Sequence, residues 1–189
     1  TAGPTTLTLP DGTAVPMWGY TCGAVTAPAT CARLSSNAAG WSPVVITIPT
    51  GQSLQINLTN SLTFGANNIP TSLVIVGQLG GGLGSTPQRT ASPPHDPQGA
   101  TWPVADPATT NTPPPQEDRV QSFATEVAGG ATTTLTWTTP RAGTYLLESG
   151  THPSIQGPMG LYGMVVVTDP AGTAYPGVTY SADVRLLMS

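Results

Sequence analysis

Three side chains of this 189-residue sequence could bind a soft metal ion. His152 and Met159 lie seven positions apart in a Gly- and Pro-rich stretch between two strand-like segments, and His95 follows the pair Pro93-Pro94. Imidazole and thioether groups are ligands that copper accepts. A copper site using His152, Met159 and His95 is therefore one hypothesis. The alternatives are that the His152 ring hydrogen-bonds the loop backbone or contacts a neighbouring domain, and that His95 is exposed to solvent or packed.

The only two cysteines of the sequence are Cys22 and Cys31, nine positions apart. Zinc sites usually need four ligands, with cysteines two to four residues apart, so this pair alone is a poor metal site. We expect a disulfide that closes a local loop; the alternative is two unpaired buried thiols in a cytosolic protein. A disulfide implies an oxidising compartment, so we expect a secreted, periplasmic or cell-surface protein.

Two further motifs carry little chemistry. Glu148 precedes the His152 loop, and without a second convergent carboxylate it is expected to pair with Arg141 or Arg119 rather than act as a base. The cluster Gly80-Gly81-Gly82 is not a phosphate loop, because no Lys-Ser/Thr follows it.

The charge composition disfavours two classes of partner. Charged residues make up only 7% of the chain, with five Arg, no Lys and a net charge of −4. Binding nucleic acid or an anionic membrane surface requires clustered cations, which are absent. No apolar run approaches the ~20 residues of a membrane-spanning helix.

The residues that position these side chains favour strands. Helix formers are sparse, Gly and Pro interrupt most windows, and short β-branched or alternating apolar runs are frequent. The segment 53–60, for example, places Leu54, Ile56 and Leu58 on one face. An all-β sandwich or barrel is expected. Strands are predicted at 5–9, 13–20, 44–48, 53–60, 72–76, 121–127, 132–138, 143–148, 161–168 and 184–187.

The chain is expected to form a single domain over residues 1–189. A long irregular Gly- and Pro-rich loop is predicted at 77–116, which is unusual in a compact domain and typical of a functional or covering segment. Residues 169–189 are expected to form a C-terminal extension towards a possible next domain.

Two segments resemble a known family. Segment 53–60 follows Pro49-Thr50-Gly51-Gln52, and Gly143-Thr144-Tyr145 leads through the His152 loop to Gly160-Leu161-Tyr162-Gly163. Both resemble the N-terminal cupredoxin domain of multicopper oxidases, and the loop 149–156 is most similar to the large bacterial type associated with manganese oxidation. The resemblance covers residues 5–168 and implies a cupredoxin-like Greek-key β-sandwich.

The sequence departs from that family at the copper ligands. Where small blue-copper proteins have Cys, two residues and His, this chain has Ser149 and His152, and a hydroxyl cannot supply a soft thiolate. Where the oxidases have a His-x-His pair, it reads Glu148-Ser149-Gly150, and residues 72–78 contain no His in place of His-Trp-His-Gly. A copper-poor shell is therefore expected.

Three functions follow as hypotheses. The first is a copper-poor scaffold domain of a secreted multicopper-oxidase-like protein, packed on further cupredoxin domains, with any metal-oxidising activity residing in those domains. The second is a secreted structural or assembly subunit that binds copies of itself and has no enzymatic activity. The third is a small copper-binding protein using His152 and Met159.

Overall fold

The computed structural model describes residues 1–86, 122–169, 173–175 and 177–188. Most of the predicted 77–116 loop lies outside these residues, as do His95 and Arg119. The described elements are β1 (Ala2–Thr8), β2 (Ala14–Tyr20), β3 (Thr30–Arg33), β4 (Val44–Pro49), β5 (Leu54–Thr59), β6 (Thr63–Phe64), β7 (Asn67–Asn68), β8 (Val74–Ile75), a 3₁₀ turn (Gly81–Leu83), β9 (Thr132–Trp137), β10 (Gly143–Glu148), α1 (Pro153–Gln156), β11 (Tyr162–Thr168), β12 (Thr173–Tyr175) and β13 (Val178–Thr179).

The largest sheet has five strands in the order β3-β4-β11-β10-β8. Its central strand, β11, is antiparallel to β10 and parallel to β4. Five of the seven residues of β11 are apolar, and its buried positions do not alternate, as expected for a strand covered on both faces.

A second, two-stranded antiparallel sheet contains β5 and β9. In β5 the buried Leu54 and Leu58 alternate with the exposed Gln55 and Asn57, so only one face meets the core. These leucines and the fully buried Trp137 of β9 join residues of the five-stranded sheet, such as Ile48, in one hydrophobic cluster. The hairpin β1–β2 adds Ala2 and Trp18 to that cluster.

The expected all-β class is confirmed, and most predicted strands are present within a few residues of their predicted ends. Two predicted strands are wrong. Residues 122–127 form only isolated bridges, from Ser122 to Thr151 and from Val127 to Thr71, and residues 184–187 are in no strand. The patterns at 121–127 and 184–187 permit a strand, but neither segment meets a partner strand among the described residues. Within these residues, no helix has the length or apolar character needed to cross a membrane.

Candidate functional site

Five uncharged polar side chains are buried together at the end of β10. Thr71, Ser72, Ser149 and Thr151 are 0% exposed and Gln156 is 1% exposed. They come from the segment before β8, from the turn after β10 and from α1. We call these five residues the hydroxyl–amide cluster.

Gln156 lies at the centre of this cluster. Its Oε1 accepts hydrogen bonds from Thr71 Oγ1 at 2.8 Å and from Ser149 Oγ at 2.6 Å, and its Nε2 donates to the Pro70 carbonyl at 2.8 Å. The amide therefore connects the segment before β8 with the turn after β10.

The turn after β10 closes the other side of the cluster. The Thr151 N–H donates to Ser149 Oγ at 3.1 Å, and the Thr151 hydroxyl donates to Ser72 Oγ at 3.0 Å. The Thr71 and Ser149 hydroxyls also lie 3.1 Å apart. Each hydroxyl has one proton, so while both donate to Gln156 Oε1 this approach is a contact between two oxygens, and it becomes a hydrogen bond only when one of the two protons turns towards the other hydroxyl. All members of the cluster are neutral.

Tyr20 borders the cluster without adding charge. Its hydroxyl donates to the Ser72 carbonyl at 3.2 Å. Burial raises the pKa of Tyr20, so the phenol stays protonated at neutral pH.

The local backbone explains how Gln156 reaches the cluster. His152 has a left-handed conformation, with φ 39° and ψ 56°, and Pro153 follows at the first position of α1, where proline is favoured. The His152 carbonyl accepts hydrogen bonds from Ile155 N at 2.8 Å and Gln156 N at 2.9 Å. This single helical turn, which the sequence analysis missed, directs Gln156 inward.

Of the three predicted copper ligands, the structure describes His152 and Met159. His152 is half-buried at the start of α1, and within the described residues its ring makes no hydrogen bond. The Met159 side chain is packed against the hydrophobic core, and its carbonyl accepts from Trp18 N at 2.8 Å. His95 lies outside the described residues. Among the residues that are described, no three His, Cys, Asp or Glu side chains form a group able to hold a metal ion.

The segments that the resemblance aligns with the family's histidine pairs do lie side by side. Glu148 of β10 is directly opposite Val74 of β8. A Cβ atom added at Gly150 would lie 2.7 Å from Val74 Cγ2 and 3.2 Å from Ser72 Oγ, so this position has no room for a side chain. The space is filled by an apolar side chain and neutral hydroxyls, which do not fit a copper centre of thiolate and imidazole ligands.

Glu148 is half-buried at the edge of this region, and burial raises the pKa of its carboxyl group. The expected pairing with Arg141 is wrong. The Arg141 guanidinium instead donates to the Gly77 carbonyl at 2.9 Å, and the backbone N–H of Arg141 donates to Gln78 Oε1 at 3.2 Å.

The glycine cluster has a structural role that the sequence analysis did not find. A Cβ at Gly80 would lie 2.5 Å from Trp137 Cδ1, and one at Gly81 would lie 2.6 Å from Trp137 Cζ2. Both residues have positive φ values, of 135° and 56°. Glycine lets this turn lie directly on the indole ring, so the cluster covers the core.

Cys22 and Cys31 are joined in a disulfide. The loop 21–31 that it closes forms one wall of a cavity of about 740 Å³, which also borders β5 and reaches apolar core residues such as Ile48 and Leu147.

No protein-family model and no curated protein matches the sequence. A multi-copper oxidase from Pseudomonas thermotolerans is similar in structure, with a TM-score of 0.50 and 15% identity over 91% of this chain. The chain has a cupredoxin-like fold. This cupredoxin-like chain covers 30% of that oxidase, so it spans less than a third of the oxidase's length. Lac15 from a marine microbial metagenome is a further neighbour, with a TM-score of 0.49, 17% identity and coverage of 90% of this chain and 31% of Lac15.

Proposed function

We propose that this chain is a copper-free cupredoxin-like domain of a larger, secreted multicopper-oxidase-like protein, in which it has a scaffold role. Further cupredoxin domains are its proposed partners. Metal-oxidising activity coupled to oxygen reduction then belongs to those domains, and the loop similarity to the manganese-oxidising type suggests a metal ion as the substrate.

The hydroxyl–amide cluster carries this proposal. A copper ligand must offer a free electron pair, and a blue-copper site needs a deprotonated sulfur. Here the position of the thiolate is taken by Ser149, whose hydroxyl donates to Gln156 and accepts from Thr151 N. A metal ion placed there would have to break these buried hydrogen bonds, and each buried polar group left unpaired costs about 1–3 kcal/mol.

Copper analysis of the purified chain tests the copper-free part. After incubation with Cu²⁺ or with Cu⁺ and removal of free metal, we expect sub-stoichiometric copper and no intense thiolate-to-copper absorption band. The variants His152→Ala and His95→Ala should bind the same residual amount. Stoichiometric copper that is lost in His152→Ala and in Met159→Leu would instead support the small copper-binding protein.

The reading frame that encodes the chain tests the larger-protein part. Continuation of the frame into His-x-His and His-Cys-His motifs would support a domain of an oxidase. A stop codon directly after Ser189, together with an intact start region, would favour the structural subunit.

A further inference from the structure

One asparagine of the chain lies in the acceptor sequence for N-linked glycans. In the segment Asn57-Leu58-Thr59, threonine stands two positions after asparagine, and the residue between them is not proline. None of the other five asparagines is followed by Ser or Thr at that spacing. A three-residue motif is common by chance, so the position and the contacts of Asn57 decide whether it can carry a sugar.

The structure places Asn57 on the outer face of the β5–β9 sheet. Leu58 is buried in the core whereas Asn57 is exposed, because neighbouring residues of a strand point to opposite faces. On β9, the residue directly opposite Asn57 is Thr134, which is also exposed. The other exposed side chains of this face are uncharged, namely Gln55, Thr132 and Thr136. A bulky hydrophilic group on Asn57 therefore extends into solvent and displaces no core side chain.

The hydrogen bonding of the Asn57 amide is compatible with a glycan on its nitrogen. The Asn57 Oδ1 atom accepts a hydrogen bond from Thr134 Oγ1 at 2.8 Å. Within the part of the chain that the structure describes, the Asn57 Nδ2 atom donates to no partner. A glycosylated amide keeps its oxygen as an acceptor and retains one N–H. Attachment of a sugar to Nδ2 therefore breaks none of the described hydrogen bonds.

Asn60, three positions further along the chain, shows the opposite arrangement. It is 0% exposed, and its Nδ2 donates to the carbonyls of Ile69 and Val127, both at 2.8 Å. Its Oδ1 accepts from Leu62 N at 3.0 Å. Loss of these buried hydrogen bonds would destabilise the fold, so Asn60 has a structural role. The single exposed hydrogen bond of Asn57 provides no comparable reason for an asparagine at position 57.

A residue within a strand can still be an acceptor, because the strand is unpaired while the chain is being made. Asn57 precedes Thr134, its partner on β9, by 77 residues. When the amino-terminal part of the chain enters a secretory compartment during synthesis, β9 has not yet followed. At that stage residues 57–59 are an extended segment that a glycosyltransferase can bind.

We propose that Asn57 is the acceptor of an N-linked glycan. The donor is an oligosaccharide bound to a polyprenyl diphosphate. The bond between the anomeric carbon of the sugar and the diphosphate oxygen breaks, and the same carbon forms a bond with Asn57 Nδ2. One amide proton passes to a base of the transferase, and the polyprenyl diphosphate leaves. The inference rests on the secretion proposed above, because N-linked glycans are carried by secreted proteins.

A glycan at this position has a physical role in a chain with so few charges. Charged residues make up only 7% of the sequence, and the exposed side chains of the outer face of the β5–β9 sheet carry no charge. Glycans are bulky and increase solubility. A glycan on Asn57 therefore keeps this face in solvent, and further domains then pack on other faces.

Peptide mass spectrometry of the protein isolated from the cells that naturally produce it tests this inference. The peptide that contains Asn57 should be heavier than its sequence by the mass of an oligosaccharide, and fragmentation that preserves glycans should place this mass on Asn57. Asn57→Gln and Thr59→Ala, produced in the same cells, should lose the added mass. Thr59→Ser keeps the acceptor sequence and should retain it.

Thr132→Ala is the matched control for Thr59→Ala. The hydroxyls of Thr59 and Thr132 form one hydrogen bond of 2.8 Å, so either substitution removes it. Only Thr59→Ala also destroys the acceptor sequence. Thr132→Ala should therefore retain the glycan.

Three results would overturn the inference. A peptide of unmodified mass in a chain recovered outside the cytosol excludes the glycan and leaves the proposed scaffold function unaffected. A peptide of unmodified mass in a chain recovered from the cytosol excludes both the glycan and the proposed secretion. Added mass that persists in Asn57→Gln, or that Thr132→Ala removes as completely as Thr59→Ala does, shows that this acceptor sequence does not direct the modification.

Discussion

Replacing Gln156 with Ala should destabilise the domain substantially, because Gln156 makes two buried hydrogen bonds and a third that is partly buried. Two of the partners can pair again. The Thr71 hydroxyl can donate to Ser149 Oγ at 3.1 Å, and the Ser149 hydroxyl can donate to the Thr151 carbonyl at 3.4 Å. The Pro70 carbonyl loses its donor, which costs about 1–3 kcal/mol. The lost side-chain volume adds on the order of 1 kcal/mol, for a total of about 2–4 kcal/mol.

Two variants serve as controls for this prediction. Thr71→Val removes one donor but leaves Gln156 Oε1 with its bond from Ser149, so we expect a loss of about 1 kcal/mol or less. Gln55→Ala truncates the same type of side chain at an exposed position of β5 and should change stability by less than about 0.5 kcal/mol.

Equilibrium unfolding in urea, followed by tryptophan fluorescence without reductant, measures the effect. Gln156→Ala should lower the urea concentration at the midpoint of unfolding and leave the dependence of the free energy on urea unchanged, because the fold itself is kept. If the free energy of unfolding of Gln156→Ala lies within about 0.5 kcal/mol of that of the unmodified chain, Gln156 does not join the segment before β8 to the turn after β10 as argued.

Three further predictions use the same unfolding assay. Reducing the Cys22–Cys31 disulfide should lower the free energy of unfolding by roughly 2–3 kcal/mol, as expected for a loop with a sequence separation of 9. Neither cysteine should react with a thiol label in denaturant until reductant is added. Burial raises the pKa of Glu148, so the contribution of this carboxyl group to the free energy of unfolding is fully present below the ordinary Glu pKa and is lost as the pH rises through the raised value. Glu148→Gln should therefore match the stability of the unmodified chain at pH 4 and be more stable than it at pH 7. Equal stability of the two chains at both pH values would contradict this. Gly150→Ala should lower the free energy of unfolding by about 1–3 kcal/mol, because the added methyl group meets Val74. The double variant Gly150→Ala, Val74→Ala should lose less free energy of unfolding than the sum of the two single variants. Strictly additive losses would exclude the close contact.

The strands were predictable where one face or both faces of a segment are buried. The alternation in β5 and the apolar run in β11 follow directly from the positions of these strands in a sandwich. The run Val-Arg-Leu-Leu at 184–187 also favours a strand by its composition, yet it forms none. An alternating or apolar pattern shows only that a segment is able to form a strand. Whether it does also depends on the unpaired edge of another strand lying close enough to form backbone hydrogen bonds.

The candidate site was only partly predictable. Ser149, at the position where the resemblance places a thiolate, predicts that no blue-copper site forms, but the sequence did not predict the partners of its hydroxyl, which come from a distant segment and from α1. That turn contains only four residues, too few for a helical period to be recognised. The role of Gly80 and Gly81 likewise depends on Trp137, which is far away in the sequence.

The central position of β11 has a consequence for synthesis on the ribosome. β11 is made long after β4, with which it pairs in parallel, and also after β10. Until residue 168 has emerged, β4 and β10 lack the strand that joins them. The nascent chain then contains two separate strand pairs, β3–β4 and β10–β8, and the edges of β4 and β10 are unpaired. Such long-range pairing makes folding slow, and the unpaired edges of β4 and β10 are prone to aggregation until β11 is in place.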